Sequence, residues 1–340
     1  MKAMVLNRIS DVTRNESPLD FCERAAPSPE PGRLLIAVSA CAVCHTELDE
    51  IEGRTPPPRL PVIPGHQVVG RVVQAAGGFR EGDRVGVAWI FSACGQCSYC
   101  RNGNENLCPS FQATGRDANG GYAEMTAARP EFVFRIQDVF SDCEAAPLLC
   151  AGAIGYRSLM LANVKEGEAL GLTGFGASAH LVLKMVRYRF PSVRVHVFAR
   201  SSAEQAFARE LGAAWAGDTE DTCPELLDGI IDTTPAWKPV VEALARLKPG
   251  GRLVINAIRK EPADIASLTV LDYAKHLWME KEIKSVANVT RTDVREFLDL
   301  AASIPIKPEY QEYRLEDANR ALVELKARRI RGAKVLRVTA

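Results

Sequence analysis

The sequence predicts an α/β protein that combines a doubly wound parallel sheet with a second, barrel-like and mostly β domain. Three observations support this fold class. Short β-branched runs lie among glycines and prolines in the first third of the chain, strands and helices alternate from about residue 151, and a glycine-rich turn joins one such strand to a helix. A chain of 340 residues is long enough for two domains.

The N-terminal third is predicted to form strands joined by irregular loops. Residues 34–38 and 68–73 are aliphatic, β-branched runs, and residues 82–87 read as a turn followed by a strand. Three consecutive prolines at 56–58 mark an exposed loop. This pattern indicates an irregular, barrel-like domain.

The remaining chain shows the alternation that a parallel sheet requires. The strand candidates are residues 169–173, 193–198, 229–232 and 252–255, and the helix candidates are 180–188, 203–211 and 240–247. The last fifty residues are expected to hold one helix, 315–327, and a closing strand, 334–338, which return to the first domain. The predicted domains are a catalytic domain, residues 1–150 and 289–340, and a sheet domain, residues 151–288.

Charge and hydropathy exclude several classes of function. Lys and Arg together number 42, as do Asp and Glu, so the formal net charge is zero and no basic face for nucleic acid is expected. The first six residues are too few and too soon interrupted to form a signal peptide. Charges or glycines break the long apolar stretches before membrane-spanning length. We expect a cytoplasmic protein that binds neither nucleic acid nor a membrane.

The ten cysteines indicate metal binding, because cysteines of a cytoplasmic protein seldom form disulfides. Four of them occupy one loop with the spacing C-x2-C-x2-C-x7-C, namely Cys94, Cys97, Cys100 and Cys108. Four thiolates complete the tetrahedral shell of a structural zinc ion. An iron–sulfur cluster uses the same ligands and is the alternative.

A second set of metal-binding side chains is dispersed along the chain and consists of Cys44, His66 and Cys150. Two sulfurs and an imidazole form the ligand set of an open, catalytic zinc site, whose fourth position admits water or substrate. Each of these residues alone is more often a packed core residue. The hypothesis of a catalytic zinc site is better supported because the four-cysteine loop and the glycine-rich turn occur in the same chain.

The glycine-rich turn, residues 174–179, matches the G-x-G-x-x-G/A pattern of a dinucleotide-binding Rossmann domain. Gly174 permits the tight turn, Gly176 lets the backbone approach a pyrophosphate, and Ala179 lets helix and strand pack closely. The turn follows a predicted strand and opens a predicted helix, as the pattern requires. A glycine-rich turn without a ligand is the alternative.

The end of the next strand predicts the choice of cofactor. Domains that use NAD usually end this strand with an acid that binds the ribose 2′-hydroxyl. Here Arg200 and Ser201 follow the strand, and the first acid is Glu204. A guanidinium pairs with phosphate through two parallel hydrogen bonds, so we expect NADP in preference to NAD. The alternative is an Arg200 that only faces solvent.

Taken in order, these motifs resemble the zinc-containing medium-chain dehydrogenase/reductase family. The similarity runs from the first strand to the last and includes residues 41–48, 64–67, 82–86, 120–124 and 145–152. It implies a GroES-like catalytic domain, a Rossmann domain and the activity of a zinc-dependent alcohol dehydrogenase. Two zinc ions per chain, one catalytic and one structural, are expected. The resemblance also implies a homo-oligomer, either a dimer or a tetramer.

The resemblance gives the dispersed residues their roles. Cys44, His66 and Cys150 would bind the catalytic zinc. Thr46 would hydrogen-bond the substrate oxygen and pass its proton outward, and Glu47 would orient the ligand histidine.

The resemblance also implies roles for further residues in binding the cofactor, binding the substrate and transferring the proton. His45 and Arg331 would contact the cofactor pyrophosphate, and Trp89 would restrict the substrate pocket. Two positions depart from the family, since Gln67 replaces the glutamate that usually follows the ligand histidine and Asp49 replaces the histidine that often ends the relay. We therefore expect ligand exchange at the zinc to differ, and solvent to receive the proton directly.

The expected reaction is hydride transfer between a nicotinamide cofactor and a small primary alcohol or its aldehyde. The nearest alternative is a zinc-independent enoyl or quinone reductase on the same fold, which would not need the dispersed set and the four-cysteine loop together. A more distant alternative is a non-enzymatic protein on this fold, either a structural protein or a redox-sensing NADPH binder, which would turn over no alcohol.

Overall fold

The computed structural model describes every residue except Pro29, Pro305, Arg328, Ile330, Arg331 and Ala340. The predicted cofactor contact Arg331 therefore lies outside the described residues. The chain divides into two compact units. The first comprises Met1–Ala153 and Val289–Ala340, and the second comprises Ile154–Asn288.

The N-terminal part of the first unit is mostly β, as its short β-branched runs predict. Its strands are β1 (Lys2–Val5), β2 (Asp20–Glu23), β3 (Leu34–Val43), β4 (Gln67–Gln74), β5 (Arg84–Val87), β6 (Ile90–Ser92), β7 (Gln112–Ala113), β8 (Met125–Ala128) and β9 (Val133–Arg135). Its helices are α1 (His45–Ile51), α2 (Ser98–Arg101) and α3 (Asp142–Pro147). Strand β3 is central, because it pairs antiparallel with both β4 and β8.

The second unit alternates helices and strands. Its helices are α4 (Ala153–Ala162, which starts one residue before the unit), α5 (Ala177–Arg189), α6 (Ser202–Glu210) and α7 (Lys238–Arg246). Its strands are β10 (Ala169–Thr173), β11 (Arg194–Phe198), β12 (Trp215–Gly217), β13 (Leu227–Asp232), β14 (Leu247–Ile255) and β15 (Glu282–Ser285). All pair in parallel, in the order β12-β11-β10-β13-β14-β15. This is the strand order of a Rossmann sheet, so the predicted fold class is confirmed.

The chain then returns to the first unit. The returning elements are α8 (Arg291–Ser303), β16 (Tyr310–Arg314), α9 (Ala318–Lys326) and β17 (Ala333–Arg337). Strand β17 pairs antiparallel with β3 and parallel with β16, which completes a seven-stranded sheet. Strands from the parts of the chain before and after the second unit therefore build one sheet.

The prediction of a single helix in the last fifty residues was wrong, because α8 precedes α9. Thr290 caps α8, since its hydroxyl accepts a hydrogen bond from the Asp293 backbone N–H at 3.1 Å. The helix buries Val294, Phe297, Leu298 and Ala301. This spacing of i, i+3, i+4 and i+7 is the apolar stripe of an amphipathic helix.

One helical stretch among the described residues, Asp142–Ala162, is long and apolar enough to cross a membrane by length and composition alone. Its most apolar window is 67% buried inside the protein, which is the environment of a core helix. The cytoplasmic location that the sequence favours stays a prediction.

Candidate metal centres and active site

Cys44 stands where β3 ends and α1 begins. Its backbone N–H donates to Glu47 Oε2 at 2.7 Å, which fixes the first turn of the helix. The buried Thr46 hydroxyl lies 3.6 Å from the Cys44 sulfur. The local helix start thus sets the position of both side chains.

His66 is buried at the start of β4, after a turn that requires glycine. Gly65 has φ +99°, and a Cβ at this position would clash with the ring of Tyr122. The imidazole Nδ1 contacts Glu47 Oε1. Its Nε2 is buried and has no hydrogen-bond partner among the residues that the structure describes. One ring nitrogen held by a carboxylate and the other left open is the typical arrangement of a metal-ligating histidine.

Cys150 lies in a wide π-type turn, Leu148–Gly152, between α3 and α4. Such turns inside helices are frequent at functional sites, because the extra residue redirects a side chain. A Cβ at Gly152 would clash with the Phe297 ring, so close packing against α8 fixes the turn. The sequence prediction left this helical stretch unassigned.

The structure brings Cys44, His66 and Cys150 together, with one ligand atom of each within 4.8 Å of the others. The Cys150 thiol hydrogen-bonds to Cys44, and this is the main reason why the pKa of Cys44 lies well below its ordinary value. The same contact raises the pKa of Cys150. Two sulfurs and a partnerless imidazole nitrogen fit Zn²⁺ with one open position.

The four cysteines of the predicted structural site also converge, and their sulfurs lie within 4.8 Å of one another. Backbone N–H groups point at these sulfurs, as from Cys94 to Cys108 Sγ at 3.4 Å and from Cys100 to Cys97 Sγ at 3.5 Å. The N–H groups of Gln96 and Cys97 lower the pKa of Cys94 to about 6. Such donors stabilise thiolates, so the loop fits a closed Zn²⁺ site.

A buried carboxylate anchors this loop, and no motif in the sequence predicts it. Glu105 is only 3% exposed and accepts hydrogen bonds from the Arg291 backbone N–H at 2.9 Å and from Arg291 Nε at 3.0 Å. Arg291 is the first residue of α8. The four-cysteine loop is thereby tied to the start of a core helix.

The glycine-rich turn joins β10 to α5, as predicted. Gly174 has φ +78°, and a Cβ there would lie 2.8 Å from Thr233 Oγ1, so glycine is required. Gly176 is the N-cap of α5, and a Cβ there would meet nothing within 4 Å. Ala179 is fully buried. The open backbone at the helix start fits a pyrophosphate.

Three other predicted cofactor contacts, Arg200, Ser201 and His45, are exposed. Arg200 and Ser201 follow β11, and Ser201 is the N-cap of α6. Glu204 lies in the first turn of that helix, so no acid ends the strand itself. His45 is exposed as the first residue of α1.

The two departures from the family occupy buried positions. Gln67 begins β4 and is 2% exposed. Asp49 is 1% exposed, and its carboxylate accepts a hydrogen bond from Arg54 Nε at 2.5 Å. Asp49 is therefore engaged in an ion pair with Arg54.

The predicted pocket residue Trp89 contacts an acid that the sequence prediction missed. Its indole Nε1 donates to Glu50 Oε1 at 3.4 Å. Glu50 is 1% exposed, and burial, followed by the nearby Glu47 carboxylate, raises its pKa well above the ordinary value.

Comparison with known proteins identifies the family. Residues 30–138 match the alcohol dehydrogenase GroES-like domain. Over 327 residues, the chain is 45% identical to the probable alcohol dehydrogenase AdhA of Mycobacterium tuberculosis (strain CDC 1551 / Oshkosh), covering 94% of this chain and 92% of that protein. The chain belongs to the alcohol dehydrogenase family.

Other members of the alcohol dehydrogenase family match over the full length. An alcohol dehydrogenase of Geobacillus stearothermophilus is 33% identical over 351 residues, which cover 99% of each chain. The structure of the cobalt and zinc bound thermostable alcohol dehydrogenase from Pyrobaculum aerophilum superimposes with a TM-score of 0.87 at 22% identity, covering 99% of each chain. The resemblance found in the sequence is thus confirmed.

Proposed function

We propose that this alcohol dehydrogenase family member uses zinc and a nicotinamide cofactor to interconvert small primary alcohols and aldehydes. The convergence of Cys44, His66 and Cys150 carries the proposal, because each offers one ligand atom within 4.8 Å of the others. Under this proposal residues 1–150 and 289–340 form the catalytic domain, and residues 151–288 bind the cofactor.

The roles of the site residues follow from their contacts. When bound, zinc would polarise the alcohol oxygen and the nicotinamide would accept the hydride. Glu47 accepts the Nδ1 proton of His66, which leaves the Nε2 lone pair for the metal. The Thr46 hydroxyl, next to the Cys44 sulfur, would take the alcohol proton and pass it outward. Asp49 is paired with Arg54, so we expect solvent to receive that proton.

The two alternatives are less well supported. A zinc-independent enoyl or quinone reductase on this fold does not need a buried imidazole nitrogen close to two thiols. A non-enzymatic NADPH binder does not need it either. The site geometry therefore favours a metal-dependent dehydrogenase.

Metal analysis combined with a substrate screen tests the proposal. We expect close to two zinc ions per chain after chelator-free purification, since two separate ligand sets are present. Primary alcohols should be oxidised in the presence of NADP or NAD. A zinc content near one would remove one site, iron at the four-cysteine loop would refute the structural-zinc assignment, and absence of turnover would refute the dehydrogenase.

We further propose that NADP is preferred to NAD. No acid ends β11, and the exposed Arg200 and Ser201 precede the first turn of α6. A 2′-phosphate there would meet a guanidinium, a hydroxyl and the N-terminus of a helix. A bare 2′-hydroxyl lacks the negative charge that would pair with the guanidinium.

Arg200→Ala should lower kcat/KM for NADP about tenfold to a hundredfold, because a charge-assisted hydrogen bond is lost, and should leave kcat/KM for NAD nearly unchanged. Steady-state kinetics with both cofactors measures this difference. Arg194→Ala is the matched control, because Arg194 lies at the other end of β11 and pairs with Glu225. A native preference for NAD, or an unaltered NADP preference in Arg200→Ala, would overturn the assignment.

We also propose a homo-oligomer, supported by the edge of the sheet in the second unit. Strand β15 is an edge strand, and its Ile283 is 47% exposed. Nearby in sequence, Tyr273, Trp278 and Met279 are 63%, 54% and 52% exposed. The unpaired edge of a strand is a template for pairing with another chain, here a second copy, and the exposed apolar side chains before this strand would add to the contact. Sedimentation velocity tests this, and a native monomer at micromolar concentration would exclude it.

A further inference from the structure

Trp89 is held on three sides by side chains distant from it in sequence. Its Nε1 donates to Glu50 Oε1 at 3.4 Å, and the Phe111 ring lies at a centroid distance of 5.3 Å with an interplanar angle of 47°. The Arg116 guanidinium lies 5.6 Å from the indole centroid. Trp89 is only partly buried, so part of the indole remains accessible.

Arg116 and the backbone of Trp89 are themselves fixed. Asp117 Oδ2 accepts from Arg116 Nη2 at 2.7 Å and Nε at 3.0 Å, and it also accepts from the Ala113 backbone N–H at 2.7 Å. The Thr114 backbone N–H donates to the Trp89 carbonyl at 2.8 Å. The guanidinium therefore cannot leave the indole without breaking a local network.

The burial of Glu50 at this position lowers the stability of the fold. Glu50 lies one helical turn after Glu47 on α1, it is 1% exposed, and its Oε2 is buried without a hydrogen-bond partner among the described residues. Burying a carboxyl group that is only partly hydrogen-bonded costs stability. Its described hydrogen bond is the one to Trp89, which points to a role in holding that ring.

We propose that Glu50 and Arg116 are positioning residues that fix the indole of Trp89 and thereby set the width of alcohol that the site accepts. The inference rests on the proposed function for its substrate class and on the family resemblance for the place of Trp89 in the pocket. A fixed ring favours unbranched primary alcohols. A released ring can turn aside and admit branched ones.

The kinetic test compares ethanol with 2-methyl-1-propanol. Glu50→Leu should lower the ratio of their kcat/KM values about threefold to tenfold, the effect of one hydrogen bond, and Arg116→Ala should lower it in the same direction. Glu50→Gln should keep the native ratio, because its amide oxygen still accepts from the indole. In a Trp89→Phe background Glu50→Leu should have no effect on the ratio, because phenylalanine has no N–H to hold.

A second readout needs no turnover. Trp89 is one of four tryptophans, so the emission difference between native protein and Trp89→Phe isolates its signal. Glu50→Leu and Arg116→Ala should both increase acrylamide quenching of that signal. If no alcohol is oxidised, the proposed function fails, while the quenching still decides whether these residues hold the ring.

Glu105→Gln is the matched control, because Glu105 is another buried carboxylate of the first unit and binds Arg291 instead of Trp89. It should lower the melting temperature without changing the substrate ratio or Trp89 quenching. The inference is overturned if Glu50→Leu shifts the ratio equally in the Trp89→Phe background. Arg116 is partly exposed, so its replacement should be tolerated by the fold. The inference is also overturned if neither Glu50→Leu nor Arg116→Ala alters the quenching of Trp89.

Discussion

Cys44→Ala is expected to lower kcat/KM for alcohol oxidation by about a thousandfold or more, because Lewis-acid stabilisation of the reacting oxygen supplies several kcal/mol. The fold should persist. Cys44 supports α1 through its backbone N–H, which donates to Glu47 Oε2, and alanine keeps that N–H. Initial rates measure the first effect, the melting temperature measures the second, and the zinc content shows whether the site has lost its metal.

Cys41→Ala is the matched control for this prediction. Cys41 lies in the same motif and is fully buried, but it belongs to neither group of converging metal-binding side chains among the described residues. We expect Cys41→Ala to retain zinc at the site and most of the activity. Retention of more than about a tenth of the native kcat/KM by Cys44→Ala would contradict a ligand role, since a tenfold change corresponds to only 1.36 kcal/mol.

Cys100→Ser is expected to lower the melting temperature by about 5 to 15 °C, since a structural zinc contributes folding free energy and each kcal/mol shifts a domain of this size by about 2–4 °C. Apart from the contact between Glu105 and Arg291, the loop has little regular structure that would hold its shape. Its sulfurs converge within 4.8 Å, and helix α2 spans only Ser98–Arg101. Calorimetry and zinc analysis on the purified variant check the result.

Cys223→Ser provides the comparison for loss of a thiol alone, because Cys223 is partly exposed and lies in the second unit. Its melting temperature should stay close to that of the native protein. A Cys100→Ser variant that melts like Cys223→Ser and still binds two zinc ions would show that the four-cysteine loop is not a structural metal site.

The sequence predicted those parts of the site that depend on local spacing. The four cysteines span fifteen positions of one loop, and the glycine-rich turn depends only on its own strand and helix. Cys44, His66 and Cys150 are farther apart, and the family resemblance joined them before the structure did. Local chemistry and a recurring motif order were enough in these cases.

Contacts between distant residues could not be predicted in this way. Glu50 meets Trp89 across 39 positions, and Glu105 meets Arg291 across 186. Neither acid differs in sequence from a solvated surface residue, because burial is decided by the packing of other elements. Helix α8 was also missed, although its apolar stripe is regular and local. The sequence predicted only one helix and one strand for the last fifty residues.

The carboxylate of Glu47 contacts two different parts of the chain. Oε2 accepts the N–H of Cys44 at the start of α1, while Oε1 contacts the ring of His66, nineteen positions later. The distance between Cys44 and His66 is therefore largely set as the chain folds. A metal ion would bind to a partly preorganised site, so less conformational entropy of the protein is lost on binding. A substitution of Glu47 that loosens the helix start would therefore also release the imidazole.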